Sequence, residues 1–322
     1  MSSRVLVTGG AGFIGANLVQ LLQSKGNVVT VFDNLSNGRI EYLSDPSMVT
    51  YGDIRDRAVL SNAMAGMDAV VHLAAQGSVV ESVASPSPNF DINVGGVFSA
   101  LDCARKSRVR RFVFASTGGA LIGDAVPPPV TELSLPKPIS PYGASKLCGE
   151  AYCQAFGKAY GMSTVVLRFA NVYGPYSGHK KGAVTTFMKC IFQHQSMPIF
   201  GDGSSSRDYL HVADLCDGIS RALVADVAPG EVFHLASGKE TSILTLAQMV
   251  ADVAGVPDHP VVHLPRRRGE VERNFARYAK AGQVLGFTPS RSLKGGLSDT
   301  WRWFVDHRAD LLVQPESESQ AD

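Results

Sequence analysis

Short apolar runs alternate with stretches of helical period through the first half of the chain. Val5 to Thr8 is a run of β-favouring residues. From Phe13 to Leu22 the apolar positions recur at the spacing of one helix face, and Gly26 ends the pattern. Val28 to Phe32 is again short, apolar and β-branched. Strand, glycine turn, helix, strand is a βαβ unit, whose crossover implies parallel strands. Ala69 to Leu73, Phe112 to Ala115 and Val165 to Phe169 repeat the strand pattern, separated by segments long enough for crossover helices. Together they predict an α/β fold: a doubly wound parallel sheet, the Rossmann arrangement, over residues 1–170.

After about Asn171 the texture changes. Loops rich in Gly, Ser and Lys, such as Gly174-Pro-Tyr-Ser-Gly-His-Lys-Lys-Gly182 and Gly201-Asp-Gly-Ser-Ser-Ser-Arg207, are interleaved with shorter helical patterns. Such loops more often bind than pack. The expectation is a smaller C-terminal α/β substrate domain over 171–312, with some chain returning to the first domain. The end, 313–322, is polar and reads as a disordered tail.

Composition narrows the class. The 322 residues are 45% hydrophobic and 18% charged, enough for about two cores. Thirty basic against 29 acidic side chains leave +1, so no global field draws in nucleic acid or an anionic membrane, and any phosphate site must be local. Cys103, Cys148, Cys153, Cys190 and Cys216 are scattered and odd in number, which argues against a disulfide framework and a zinc site and fits a reducing cytoplasm. No signal-peptide cleavage pattern opens the chain and no apolar stretch approaches ~18 residues, so neither secretion nor membrane spanning is expected.

Gly9-Gly10-Ala11-Gly12-Phe13-Ile14-Gly15 lies between the first strand and the first helix, the context in which a glycine fingerprint carries weight. Missing side chains let the backbone turn tightly and approach a pyrophosphate, whose charge sits at the helix N-terminus. Asp33 closes the second strand, near the ~20-residue offset of the acid that binds an adenosine ribose; a carboxylate there repels a 2′-phosphate and favours NAD over NADP. Arg39 leaves NADP open. Asp53-Ile54 is positioned for the adenine or is simply a loop start.

Pro141-Tyr142-Gly143-Ala144-Ser145-Lys146 opens a helix, so Tyr142 and Lys146 share one face. A phenol is a poor base at neutral pH, but a neighbouring ammonium and a positive nicotinamide both favour its phenolate. Tyr142 is then fit to take a proton from a secondary alcohol whose carbon gives up hydride. Ser116-Thr117 follows the strand ending at Ala115, at the carboxyl edge of the sheet where such folds bind ligands; a helix or turn cap is the blander role.

Gly9-x-x-Gly12-x-x-Gly15, His72-Leu-Ala-Ala75, Tyr142-x-x-x-Lys146 and Gly201-Asp-Gly203 with Arg207-Asp-Tyr209 resemble the extended short-chain dehydrogenase/reductase family. Asp33-Asn-Leu-Ser-Asn-Gly38, Ser116-Thr-Gly-Gly-Ala120 and Val79-Val-Glu-Ser-Val83 are similar in particular to UDP-glucose (UDP-galactose) 4-epimerases. The resemblance implies an NAD enzyme that oxidises a hexose C4 transiently and returns the hydride to the other face. It places Phe13, Ile14, Asn34, Asn37, Gly38, Leu73, Ala74, Ala75, Asn93, Ser116 and Phe169 beside NAD. It places Ser78, Thr117, Asn171, Val184, Phe187, Ile199, Phe200, Arg207, Arg267, Glu270 and Asn274 around a UDP-sugar. Phe187 or Phe200 would cover the uracil, and Arg207 and Arg267 suit a diphosphate, although Arg266-Arg267-Arg268 leaves that contact open. A homodimer through a four-helix interface is also implied, with Ala151 and Ala155 as small packing residues.

Relatives that dehydrate a 4-keto sugar carry an acidic pair directly after the Thr, because loss of the C5 proton and the C6 hydroxyl needs a base and an acid. Here those positions are Gly118 and Gly119. Gly77, Ile122 and Arg277 depart from the epimerase pattern on the sugar side. Asn274 stands where some members have a bulky Tyr, which leaves room for an N-acetyl group. His179-Lys180-Lys181 is a local cationic cluster that either meets a uronate carboxylate or is a solvated loop. A net dehydrogenase and a non-catalytic NAD-binding regulator are the competing classes.

Overall fold

Six short strands lie side by side along the first part of the chain, and all but the third are apolar runs buried on both faces. In the computed structural model, which describes residues 2–124, 126–266 and 271–307, they are β1 (Arg4–Thr8), β2 (Val28–Asp33), β3 (Val49–Tyr51), β4 (Ala69–His72), β5 (Arg111–Thr117) and β6 (Ser163–Phe169). The rest of the chain adds β7 (Asn171–Tyr173), β8 (Met197–Phe200), β9 (Ser206–His211), β10 (Glu231–Leu235), β11 (Glu240–Ser242), β12 (Val261–Leu264) and β13 (Arg273–Asn274). The main sheet is all parallel in the order β10-β6-β5-β4-β1-β2-β3.

Two of its strands escape the hydrophobic pattern. β3 is only Val-Thr-Tyr and none of it is fully buried, too short to show a period. β10 lies far along the chain and pairs with β6 in parallel, Phe233 opposite Leu167, so the segment that returns to the first sheet is this strand together with the helix Val212–Val224 that precedes it.

Side chains alternate between the two faces, as the pleat requires. Val5 and Val7 join one core with Leu18, Leu22, Leu215 and Ile219, from the helices Phe13–Ser24 and Val212–Val224. Leu6 joins the other, with Leu60, Leu101 and Phe156, from the helices Arg57–Met64, Gly96–Lys106 and Pro141–Tyr160. The first core continues without a break into Phe187, Ile199, Leu246 and Phe304 of the second lobe. There β9 collects β7, β11 and β13, and β8 pairs with β12.

The helix Pro141–Tyr160 begins cleanly. Ser140 caps it by accepting from Gly143 N, and Pro141 fills the first turn, where a missing N–H is harmless. It packs close to β5 because Gly149 faces Phe114: a Cβ at Gly149 would stand 2.4 Å from Phe114 Cζ. Gly149→Ala gains roughly 1 kcal/mol of helix propensity but overpacks a rigid core at a cost of about 1–3 kcal/mol. Urea denaturation should therefore show a net loss of about 1 kcal/mol, and an unchanged or raised midpoint would mean that the helix is not held against β5 in this way.

Candidate active site

The glycine turn that follows β1 is shaped by close backbone approach. Gly9 has φ +69°, and a Cβ there would fall 2.8 Å from Ala74 N; at Gly15 it would fall 2.2 Å from Gly9 O. Gly12 N-caps the helix Phe13–Ser24 without any side-chain cap, so the N–H groups of its first turn are not claimed by a capping side chain. Apart from its chain neighbours, a Cβ on Gly12 would meet only Gly9 O, at 3.3 Å. The cradle fits a pyrophosphate.

Asp33 ends β2 and is 8% exposed. Its carboxylate accepts from Ala11 N at 3.0 Å and Leu35 N at 2.8 Å, which ties this acid to the glycine turn. Burial raises its pKa, and the backbone N–H groups oppose that. So Asp33 both builds the turn and offers a carboxylate edge. Asn34 donates to Asp53, and Arg55 grips Asp53 with two nitrogens, holding its carboxyl down to about 2. Asn37, Gly38, Leu73, Ala74 and Ala75 all keep exposed surface beside this turn.

Lys146 is 4% exposed. Its ammonium donates to Ala115 O at 2.9 Å and lies 5.9 Å from the centre of the Tyr142 ring. Desolvation pushes it down to about 8. Tyr142 keeps part of its surface open, and the protein around it pushes the phenol up to about 12. The protein alone therefore keeps Tyr142 neutral; the phenolate expected from the sequence needs a further positive charge at the ring. Neither the Tyr142 hydroxyl nor that of Thr117, half-buried at the end of β5, is hydrogen-bonded among the described residues.

Three polar residues that sequence reasoning passed over set this pair. Glu150, one turn beyond Lys146, accepts from Ser116 Oγ at 2.5 Å and from Arg168 at 2.9 and 2.7 Å. The Arg168 and Glu150 side chains are 5% and 7% exposed, so this ion pair is a rivet between the helix, β5 and β6. Ser116 is thus committed to Glu150 within the protein. Ser82 accepts from Tyr142 N at 3.1 Å. Only a Ser-to-backbone bond of this kind, across sixty residues, could have revealed it, and spacing carries no such signal.

Beyond Thr117 the chain has no side chains for two residues. A Cβ on Gly118 would meet His234 Nδ1 at 3.2 Å, and one on Gly119 would meet Asn274 Oδ1 at 3.2 Å. His234 is 1% exposed with both ring nitrogens unpartnered, and burial, followed by the charge of Arg168, pushes it down to about 3. Asn274 is 3% exposed and its Nδ2 has no acceptor. It pairs with Arg207 across β13 and β9, and Arg207 spends Nη1 on the carbonyls of Ser206 and Glu272, with no ion pair to an acid among the described residues.

Other expected residues are placed differently. Phe187 and Ile199 are 1% and 0% exposed and belong to the main core, so neither presents a face to a ligand in this conformation; Phe200, half-buried, is the better placed aromatic. Val184 is 4% exposed and likewise packed, and Ile54 packs against Gly96. Asn93 spends its amide on Gln76 N, Gln76 O and Ser145 Oγ, which makes it a tie between the loop after β4 and the helix of Tyr142. Ser78 caps Glu81 N. Phe169 ends β6, 9% exposed, and its carbonyl accepts from Gly118 N. Asn171 is exposed at the start of β7. Arg267, Glu270 and the tail 313–322 lie outside the described residues. Among those described, no group of His, Cys, Asp and Glu could hold a metal ion, and no helix is long and apolar enough to cross a membrane.

Residues 5–237 match the sequence model of the NAD dependent epimerase/dehydratase family. The crystal structure of a UDP-glucose 4-epimerase from Thermotoga maritima, with UDP-glucose, superposes with a TM-score of 0.90 at 36% identity, over 94% of this chain and 99% of that one. A UDP-N-acetylglucosamine 4-epimerase from Methanobrevibacter ruminantium does so at 0.89 and 30% identity, over 95% and 99%. A dTDP-glucose 4,6-dehydratase of Streptomyces niveus is 35% identical over 95% of this chain and 94% of its own length. Overall identity therefore does not separate epimerase from dehydratase, and local chemistry must.

Burying Lys146 is costly. At 1.4 kcal/mol per unit, a pKa of about 8 instead of 10.5 disfavours the charged folded form by roughly 3 kcal/mol. Lys146→Met should raise stability at pH 7 by about 2 kcal/mol after loss of the Ala115 hydrogen bond. The folded wild type binds fewer protons than the unfolded chain between pH 8 and 10.5, so its stability should climb toward that of the variant across this window. Parallel denaturation curves at pH 7 and 10 test both signs; a less stable Met variant would refute the reading.

Proposed function

We propose that this chain, which belongs to the NAD dependent epimerase/dehydratase family, inverts C4 of a UDP-hexose through a transient 4-keto sugar. The observation that carries the reaction type is the pair Gly118 and Gly119: no carboxyl follows Thr117, and the space beside the two glycines is closed by His234 and Asn274. His234 is held neutral by burial. Dehydration would need a base at C5 and an acid at C6 from this stretch. Inversion at C4 needs neither.

NAD bound at the glycine turn would supply the acceptor and then the donor of the C4 hydride, and its positive ring would supply the charge that Tyr142 lacks in the protein alone. Asp33 favours NAD over NADP by its negative edge. Tyr142 takes the C4 hydroxyl proton and later returns one to the ketone, with Lys146 beside it. Thr117, with its hydroxyl uncommitted, orients the reacting oxygen. Arg207, which pairs with no acid among the described residues, suits the UDP diphosphate.

Asn274 favours a second substrate. Its buried Nδ2 has no acceptor, a state that costs about 1–3 kcal/mol, and the carbonyl of a 2-acetamido group arriving with substrate would relieve it. The reading also includes a homodimer. Tyr152 and Tyr160 are 36% and 57% exposed on the helix Pro141–Tyr160, Phe98 is 38% exposed on Gly96–Lys106, and Phe98 and Tyr152 lie edge to face at 5.6 Å. Ala151 and Ala155 on the same outer face let a second helix approach.

Incubation with UDP-glucose, UDP-galactose and UDP-GlcNAc separately, with products resolved by chromatography and NADH followed by absorbance, separates the classes. Epimerisation gives the C4 epimer without net NADH. Accumulating NADH would indicate a dehydrogenase, and no conversion by an NAD-loaded chain would favour a regulator. Tyr142→Phe should lower kcat by about a thousandfold. Unchanged turnover in that variant would overturn the mechanism, and failure to convert UDP-GlcNAc while UDP-glucose reacts would remove the second substrate.

A further inference from the structure

The segment between β7 and the helix Ala183–Phe192 crosses from the second lobe over the first. Its beginning is pinned to the helix Phe13–Ser24: Asn17 donates to Pro175 O at 3.0 Å and Gln20 to Tyr176 Oη at 2.8 Å, while the Tyr176 ring lies 4.7 Å from that of Tyr42. Near its far end Lys181 makes an exposed ion pair, its ammonium 2.7 Å from Glu81. Between these points stands Lys180. Its Nζ lies 3.8 Å from where a Cβ on Gly77 would be, and apart from Gly77's chain neighbours no other atom comes within 4 Å of that point. It stands next to the place of a side chain that Gly77 does not have.

Lys180 makes no side-chain hydrogen bond or ion pair among the described residues, and the same holds for Arg39 and Lys189. The three are near one another: His179 is pushed down to about 4 by burial and then by the charges of Lys180, Arg39 and Lys189. Lys180 is exposed, yet protein crowds its ammonium enough to lower its pKa, with Glu81 opposing. That combination describes a cleft wall. Arg39 N donates to Ala11 O inside the glycine turn, and the same turn touches the loop that leads to Gly77, with Gly9 against Ala74. The nearby acids are spoken for: Glu81 by Lys181, and Asp33 by two backbone N–H groups. Like charges are gathered here, on segments that reach the glycine turn through Arg39 N and through the loop of Ala74 and Gly77, and Glu81, itself paired with Lys181, is the acid that opposes Lys180.

We propose that Lys180, carried by the second lobe, binds the pyrophosphate of the dinucleotide and replaces the side chain missing at Gly77, so that the crossing segment holds the cofactor in place. The proposal rests on the NAD reading above. A charge-assisted contact to phosphate is worth enough to read as about a tenfold change in affinity.

Calorimetric titration of nucleotide-free protein, its fold checked by circular dichroism, with NAD, ADP and adenosine is the test. Lys180→Ala should weaken NAD and ADP on the order of tenfold, leave adenosine within about twofold, and flatten the salt dependence of NAD binding. Lys181→Ala, which removes only an exposed ion pair, should stay within about twofold for all three. Adding Gly77→Lys to Lys180→Ala should restore NAD affinity, since it returns an ammonium to the same space. Equal NAD affinity in Lys180→Ala and wild type would overturn the proposal. So would a variant that binds NAD normally but loses turnover of UDP-glucuronate alone, because the ammonium would then read a sugar carboxylate. A wild-type chain that binds no NAD would sink the cofactor reading and this proposal together.

Discussion

Everything at the candidate site depends on how closely the helix Pro141–Tyr160 lies on β5. Gly143 and Gly149 make the approach possible: a Cβ at Gly143 would fall 2.1 Å from Ala120 O, and one at Gly149 would strike Phe114. Only at that distance can Lys146 reach Ala115 O, and only then can Glu150 meet both Ser116 and Arg168 in the interior. Each of these polar contacts is expensive to bury alone and is tolerable because its partner is fixed by the backbone of a neighbouring element. The seam therefore holds a lysine whose ammonium burial disfavours, which is the kind of strain a catalytic position retains and a structural one sheds.

The sequence made the sheet legible because parallel strands buried on both faces are written as plain apolar runs. It made the glycine turn and the Tyr142–Lys146 pair legible because both are local, within one βαβ unit and within one helical turn. β10 was hidden for the opposite reason. Its five residues are unremarkable in isolation, and their place beside β6 is decided by packing some sixty positions away in the chain. The Glu150–Arg168 pair and the Ser82 contact to Tyr142 N belong to the same class. Phe187 shows the converse error: an aromatic whose spacing permits either role is decided by the burial of its own helix, and here the core takes it.

Absent side chains matter as much as present ones around Thr117. Gly118 and Gly119 remove the carboxyls that would turn a 4-keto sugar toward elimination, and the volume they vacate is closed by His234 and Asn274 from two other elements. A substitution restoring an acid at Gly118 would press a carboxyl against a buried neutral imidazole, so the change could not be made at one position alone. Gly77 follows the same logic from the other side of the cleft, with Lys180 of the second lobe standing next to the gap.

Four of the buried polar atoms left without partners lie where the two lobes meet. In a folded chain such atoms are few, because each costs about 1–3 kcal/mol. Asn274 Nδ2, both nitrogens of His234 and His179 Nδ1 are all so placed, and all lie on second-lobe segments or on β10 where these face the first lobe. Gln76 Oε1, Asn89 Oδ1, Arg111 Nη1, Arg168 Nη1, Tyr209 Oη, His211 Nε2 and Trp303 Nε1 are also unpartnered, so an orphaned atom alone does not mark the cleft. The cost at the cleft is borne by a chain whose cores run continuously from one lobe to the other. A second lobe that shares its core with the sheet cannot drift from it, and it can therefore hold unsatisfied groups, and the cation of Lys180, against the first lobe in a fixed arrangement before any ligand arrives.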